Sequence, residues 1–341
     1  MCLLTKPSKQ TLRFPLSTGH AGWDLLYVTK SLGGKHVEKR VEFKCKGDLI
    51  RGILYTPDHP KSVSTPLVVM AGGWCYTKEI VMPYYAREFS SRGIAALAID
   101  YRNSGESEGS PRQHLDPWMQ IEDYRTAITY AQSLPGIDAN RIGTWGISYS
   151  GGHSLILAAI DSRVRFAVST IPVVDGFSTE RRCHGETRFN KLIQLLNDDR
   201  KLRFETGGPG APFPMSSLTP DSEMSCWPFP HVYEAFMDIK AREAERHEHW
   251  STMESVDLLL NYTVFPYCPR IHDKPVLMTV AHGDNITSAD LEVAAFNAIS
   301  SPRKQLEIVE GVTHMSLYSN VEHLQKVSRI QASWLEKTLA M

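Results

Sequence analysis

The sequence predicts an α/β protein: a mostly parallel, doubly wound sheet, covered by helices on both faces and interrupted by one largely helical insertion. Three observations predict it. Short apolar runs alternate with segments of helical period from residue 41 to 174, and again from 266 to 341. Between 175 and 265 that rhythm breaks, and the chain turns rich in proline, glycine and charge. Within the first block, a serine flanked by small residues stands where a strand run gives way to a helical one.

Residues 1–40 carry no clear period and read as an N-terminal extension that packs on the core or on a partner; homodimerisation through it is the expectation for assembly. Strand-like segments begin at 41–45 and 50–55, on either side of a Lys46-Gly47-Asp48 turn, the pattern of a hairpin. The apolar run 67–71 ends in Gly72-Gly73, 80–89 has helical spacing, and 94–100 is another buried strand. A helix over 117–133 stops before Pro135-Gly136. A strand starting near Arg141 then leads into the serine turn, a helix over 154–160 and a strand over 164–171. The insertion 175–265 holds one convincing helix, 232–246, and reads as a cap. Strand 274–280, helix 288–299, strand 304–309 and helix 321–338 complete the core, which is therefore 41–174 plus 266–341.

Composition excludes several classes of function. With 37 basic and 38 acidic residues the formal net charge is −1, so neither nucleic acid nor an anionic membrane surface is an expected partner. No apolar run approaches the roughly 18 residues a membrane span needs, and the first residues are too weakly apolar for a secretory signal. A cytoplasmic location is the expectation. Cys2, Cys45, Cys75, Cys183, Cys226 and Cys268 form no C-x-x-C pair, so no zinc site or disulfide framework is expected. The expectation is no cofactor, no metal, and a small-molecule acyl substrate as partner.

The chemistry starts at Gly146-Ile147-Ser148-Tyr149-Ser150-Gly151-Gly152. A tight strand-to-helix turn needs a nearly side-chain-free residue two before the serine, and Gly146 supplies it. Ser148 is the candidate nucleophile, and the backbone N–H of Tyr149 is placed to meet an oxyanion. A serine hydroxyl needs a base, itself oriented by an acid. His314 follows the strand ending near Val309, and Asp284 follows the strand ending near Val280, both at carboxyl ends of strands. Asp175 competes as the acid but lacks the Gly-Asp turn directly after an apolar strand. The backbone N–H of Trp74, in the glycine loop 72–79, is assigned as the second oxyanion donor, and Cys75 is read as a small buried residue. His153 and His282 read as satisfied or surface residues, and His184, Glu186, His247 and His249 as a solvated polar face. Phe177, Trp227, Phe229 and Phe236 either line an apolar pocket or pack the cap.

The elbow, the glycine loop, residues 100–107 and the Asp284 and His314 turns together resemble the α/β-hydrolase superfamily over most of 41–340 outside the cap. The chain order Ser148, Asp284, His314 fits that resemblance. Ser148-Tyr149-Ser150-Gly151-Gly152 is similar to dienelactone-hydrolase-like enzymes and, more distantly, to Xaa-Pro dipeptidyl-peptidases; true dienelactone hydrolases carry cysteine at the place of Ser148. Many relatives have His-Gly where this chain has Gly72-Gly73. A further likeness is to the capped subgroup of fungal and bacterial polyketide pathways, whose members are hydrolases, thioesterases or acyl transferases. The resemblance implies a serine hydrolase acting on an ester, thioester or lactone of a small to medium, largely apolar acyl group. The alternatives are an acyl transferase with the same triad, and a non-catalytic ligand-binding homologue.

Overall fold

The computed structural model describes residues 28–30, 36–58, 64–208 and 210–340. β1 (Val28–Lys30), β2 (His36–Cys45) and β3 (Asp48–Pro57) form an antiparallel meander. Lys46 and Gly47, with φ of 53° and 105°, make the two-residue turn between β2 and β3, the kind whose twist matches that of the strands it joins. Then β4 (Thr65–Ala71), α1 (Met82–Ser91), β5 (Ala95–Ile99), α2 (Pro117–Ser133), β6 (Ile137–Ile147), α3 (Tyr149–Ile160) and β7 (Ala167–Thr170) alternate strand and helix. After a long excursion the alternation resumes with β10 (Val276–Ala281), α7 (Ala289–Ala298), β11 (Lys304–Val309), the short α8 (Ser316–Ser319) and α9 (Val321–Leu339). The excursion holds α4 (Gly176–Thr206), β8 (Pro212–Pro214), α5 (Pro230–Arg242), β9 (Trp250–Thr252) and α6 (Met253–Leu260).

The nine-stranded sheet runs β1-β2-β3-β5-β4-β6-β7-β10-β11, parallel from β5 to β11. Every residue of β4, β5, β7 and β10 is buried, which is why these strands read as continuous apolar runs rather than as alternating patterns. Helix starts follow local chemistry. Asp116 caps α2 by accepting from the amides of Trp118 and Met119, with Pro117 at the first helical position. Behind the sheet, Gln331 of α9 accepts from Trp145 Nε1 at 2.8 Å and donates to the hydroxyls of Thr170 (2.8 Å) and Thr279 (3.1 Å). One buried amide thereby fastens β6, β7 and β10, the strands that lead to two of the candidate residues.

Two expectations need correction. Residues 28–30 and 36–40, read as part of an extension apart from the 41–174 core block, pair as β1 and the start of β2 and so belong to the sheet, held by backbone bonds rather than by an apolar pattern. The rest of the 1–35 stretch lies outside the described residues. The excursion also carries more helix than its composition suggests. α4 spans 31 residues, but positive φ at Gly185 (64°) kinks it and its many charges blur the apolar period. Among the described residues no helix is long and apolar enough to cross a membrane.

Candidate active site

Ser148 sits between the end of β6 and the start of α3 at φ 57°, ψ −119°, a backbone conformation that costs energy for a non-glycine residue. The surroundings hold it there. Its N–H donates to Thr170 O (2.9 Å), and its carbonyl accepts from the amides of Gly151 (2.9 Å) and Val173 (3.0 Å). A Cβ on Gly146 would lie 1.9 Å from the Ser150 carbonyl oxygen, so only glycine fits there. Ser150, two residues after Ser148, bonds the Tyr101 hydroxyl (2.5 Å) and the Gly72 carbonyl, joining the elbow to the glycine loop. Tyr149 opens α3, so its amide is at the helix N-terminus beside the serine.

Asp284 lies in the turn after β10 and His314 after β11, neighbouring strands of the sheet. His314 Nδ1 bonds Asp284 Oδ2 at 2.7 Å, with both side chains buried. The other Asp284 oxygen accepts from the amides of Ile286 and Thr287, each at 2.9 Å. Burial pushes the Asp284 carboxyl up, but His314 beside it and these hydrogen bonds outweigh burial and hold it below the usual carboxylate range. Asp284 thus stands as an ionised partner for the imidazole. Asp175, the competing acid, caps α4 by accepting from Ser178 N at 2.9 Å.

Among the described residues no hydrogen bond joins Ser148 to His314. The serine hydroxyl faces the phenol of Tyr76, a residue that sequence reasoning did not single out. A Cβ on Gly73 would lie 3.0 Å from Ser148 Cβ and 3.0 Å from Tyr76 Cε2, so the bare glycine backbone lets serine and phenol meet. Burial pushes the Tyr76 phenol well up, which keeps it a proton donor. Tyr318 links this group to the base: its ring centroid is 5.4 Å from that of Tyr76 and 5.7 Å from that of His314.

The glycine loop is pinned at both ends. Asp100, fully buried, accepts from Lys78 N and Lys78 Nζ, each at 2.7 Å, which explains the Asp100 motif noted in the sequence. Cys75, at φ 61°, is held from the excursion: its carbonyl meets His247 Nδ1 at 3.0 Å and its thiol donates to Trp250 O at 3.3 Å. Trp74 is buried edge-on to Tyr149 (5.2 Å) and Trp227 (6.5 Å), and Phe236 lies 5.0 Å from Tyr76. The excursion therefore covers the elbow and its loop. Of the other aromatics noted there, Phe229 is partly buried and Phe177 is 46% exposed.

Comparison with known proteins sets this geometry in a lineage. Residues 46–204 match the X-Pro dipeptidyl-peptidase (S15 family) model. The chain is similar to thiohydrolase aneE of Aspergillus aculeatus, 31% identical over 79% of this chain and 83% of that protein. It is also similar to quorum-quenching protein AidA of Acinetobacter baumannii, 30% identical over 87% of this chain and 94% of that one. The crystal structure of alpha/beta hydrolase GrgF from Penicillium sp. sh18 superposes with a TM-score of 0.72 at 24% identity, covering 89% of this chain and 99% of that one. The chain belongs to the α/β-hydrolase superfamily.

In this α/β-hydrolase superfamily member the other histidines singled out in the sequence have structural partners. His153 is fully buried between the Tyr262 hydroxyl and Gln120 Oε1, each at 2.9 Å. His282 is exposed beside Glu310. His247 is not on a solvated face, as its sequence context suggests; it is buried, with Nε2 3.0 Å from His249 Nδ1. His184 is likewise buried, beside Glu180 at 3.2 Å, while Glu186 pairs with Arg181 at the surface. A cleft of about 720 Å³ lined by Arg141, Arg165, Arg270, Lys274 and Arg303 lies at the other edge of the sheet, away from Ser148.

Proposed function

We propose that this protein is a serine hydrolase that cleaves an ester, thioester or lactone through an acyl-enzyme on Ser148. The observation that carries the reading is a strained serine at a strand-to-helix elbow, on the same sheet edge as a buried His314–Asp284 pair. Substrate entry turns the Ser148 hydroxyl from Tyr76 towards His314 Nε2; such catalytic contacts are often loose before substrate binds. Ser148 Oγ attacks the carbonyl carbon as its proton passes to His314, and Asp284 steadies the imidazolium. The amides of Tyr149 and Trp74 stabilise the tetrahedral oxyanion, with the Tyr76 phenol as a third donor beside them. Collapse expels the alcohol or thiol leaving group with the proton from His314. Water, deprotonated by His314, then releases the acid and restores Ser148.

The name thiohydrolase borne by that Aspergillus relative supports a thioester among the substrates, and the name polyketide transferase borne by another relative, from Penicillium crustosum, supports a place in polyketide metabolism. Trp74, Trp227 and Phe236, all buried over the elbow, suit a largely apolar acyl group. They also favour a second reading, acyl transfer, because a covered acyl-enzyme shields its ester from water. A panel of p-nitrophenyl esters, acyl thioesters and lactones, offered to the native protein and to Ser148→Ala, tests the proposal. Turnover confined to the native protein supports it; equal rates reject it. Adding an acceptor alcohol separates the two readings by the ratio of new ester to free acid.

A further inference from the structure

Behind Asp284 lies a second carboxyl that the mechanism above does not use. Glu292, on α7, is fully buried. Its Oε1 is 2.7 Å from Thr287 Oγ1, and its Oε2 has no hydrogen-bond partner among the described residues. The same Thr287 hydroxyl is 2.9 Å from Asp284 Oδ2 and 3.2 Å from His314 Nδ1. The protons in this cluster can be counted. A hydroxyl carries one hydrogen, so Thr287 donates to one carboxyl and must accept at the other contact. The His314 Nδ1 proton is already directed at Asp284 Oδ2, 2.7 Å away. Two ionised carboxylates around one hydroxyl would therefore press bare lone pairs together in a buried site, so one of the two carboxyls holds a proton.

Which one is settled by the partners. Asp284 is met by two amides, an imidazole and a hydroxyl, the setting of an ionised carboxylate. Glu292 is met by Thr287 alone, and an ionised oxygen buried without a partner is strongly disfavoured. We infer that Glu292 is a positioning residue: its carboxylic acid donates to Thr287 Oγ1, which turns the Thr287 hydrogen onto Asp284 Oδ2 and fixes the carboxylate that orients His314. Nearby charges agree. Burial first, then the charge of Asp284, pushes the Glu292 carboxyl well up, while the remaining acid on that turn, Asp290, is neutralised by Arg182 at 2.6 Å.

This inference rests on the proposed role of Ser148, His314 and Asp284, and its test keeps the two apart. The probe is a fluorophosphonate, read as the rate of labelling at Ser148, in the full chain and in E292Q, E292L, T287S and T287V. A glutamine amide still donates to Thr287, so E292Q labels within about threefold of the native protein, whereas E292L, which loses the donor, slows by about tenfold or more. T287S likewise retains the rate and T287V loses it. Independently of reactivity, the infrared difference between native protein and E292Q at neutral pH shows a protonated-carboxyl band belonging to Glu292. Absence of that band, equal slowing in E292Q and E292L, or an unchanged rate in E292L overturns the inference. If native Ser148 takes no label while the band is present, the nucleophile is wrong and the buried proton stands.

Discussion

At the scale of single residues, the site depends on keeping Ser148 in a conformation the chain would not otherwise choose. Gly146→Ala puts a methyl carbon 1.9 Å from a carbonyl oxygen, so the elbow cannot close. We expect loss of Ser148 labelling and a lowered melting temperature, seen by mass spectrometry and thermal unfolding. Tyr76→Phe removes a single hydroxyl, which lies near both Ser148 and Tyr318. With the phenol as an oxyanion donor, kcat should fall by about a hundredfold with KM nearly unchanged, the usual cost of one such donor; an unchanged kcat would contradict that role. The elbow at Ser148 and the meeting of Asp284 with His314 could be anticipated from sequence because each residue stands in a distinctive local context: a glycine turn, or a polar turn after an apolar strand. Tyr76, Thr287 and Glu292 carry no such mark. Their places beside the candidate site come from tertiary approach, and an aromatic after a glycine pair or a glutamate in a helix reads as ordinary packing.

Among the elements, the decisive contact is between the excursion and the glycine loop. His247 meets the Cys75 carbonyl at the one loop residue forced to φ 61°, and Phe236 packs on Tyr76 next to it. Removing the imidazole strands a buried carbonyl, at a cost of about 1–3 kcal/mol. His247→Leu should therefore lower both stability and kcat, while His247→Gln, which can still donate, should restore much of each; paired denaturation and steady-state kinetics check this. The parallel strands and α2 could be read from sequence because burial on both faces leaves apolar runs and because Pro117 and Pro135 punctuate the helix. α4 could not. It is a long, charged helix broken at Gly185, and only its tertiary partners reveal which face is inward.

Across the whole molecule, buried neutral histidines make stability depend on pH. Burial lowers His153 and His247 to about 3, and His249 to about 4. In the unfolded chain these imidazoles titrate near the ordinary value of 6.5, so below that pH the unfolded state binds more protons than the native one. The histidine contribution to stability therefore falls as pH drops from about 6.5 towards 3, the window set by those two values, while Asp123, pushed up to about 6 by burial, and Glu292, also pushed up by burial, act in the opposite sense. Asp284, held below its usual range, adds to the loss at the acidic end. Urea unfolding at a series of pH values, compared between the native protein and His153→Gln, should show the variant losing less stability on acidification by about one proton's worth of slope; identical slopes in the two would contradict the burial of this ring in its neutral form. Gln331 offers a second check on the assembled sheet. Gln331→Leu leaves the Trp145 N–H and two threonine hydroxyls without their shared partner, so the melting temperature should drop although no candidate site residue is touched.

The most direct measurement is to locate the covalent adduct formed with a fluorophosphonate by peptide mass spectrometry, in the native protein and in His314→Ala. The account predicts one adduct, on Ser148, formed rapidly by the native protein and orders of magnitude more slowly without the imidazole. An adduct on another residue, or labelling of Ser148 that does not change when His314 is removed, would contradict it.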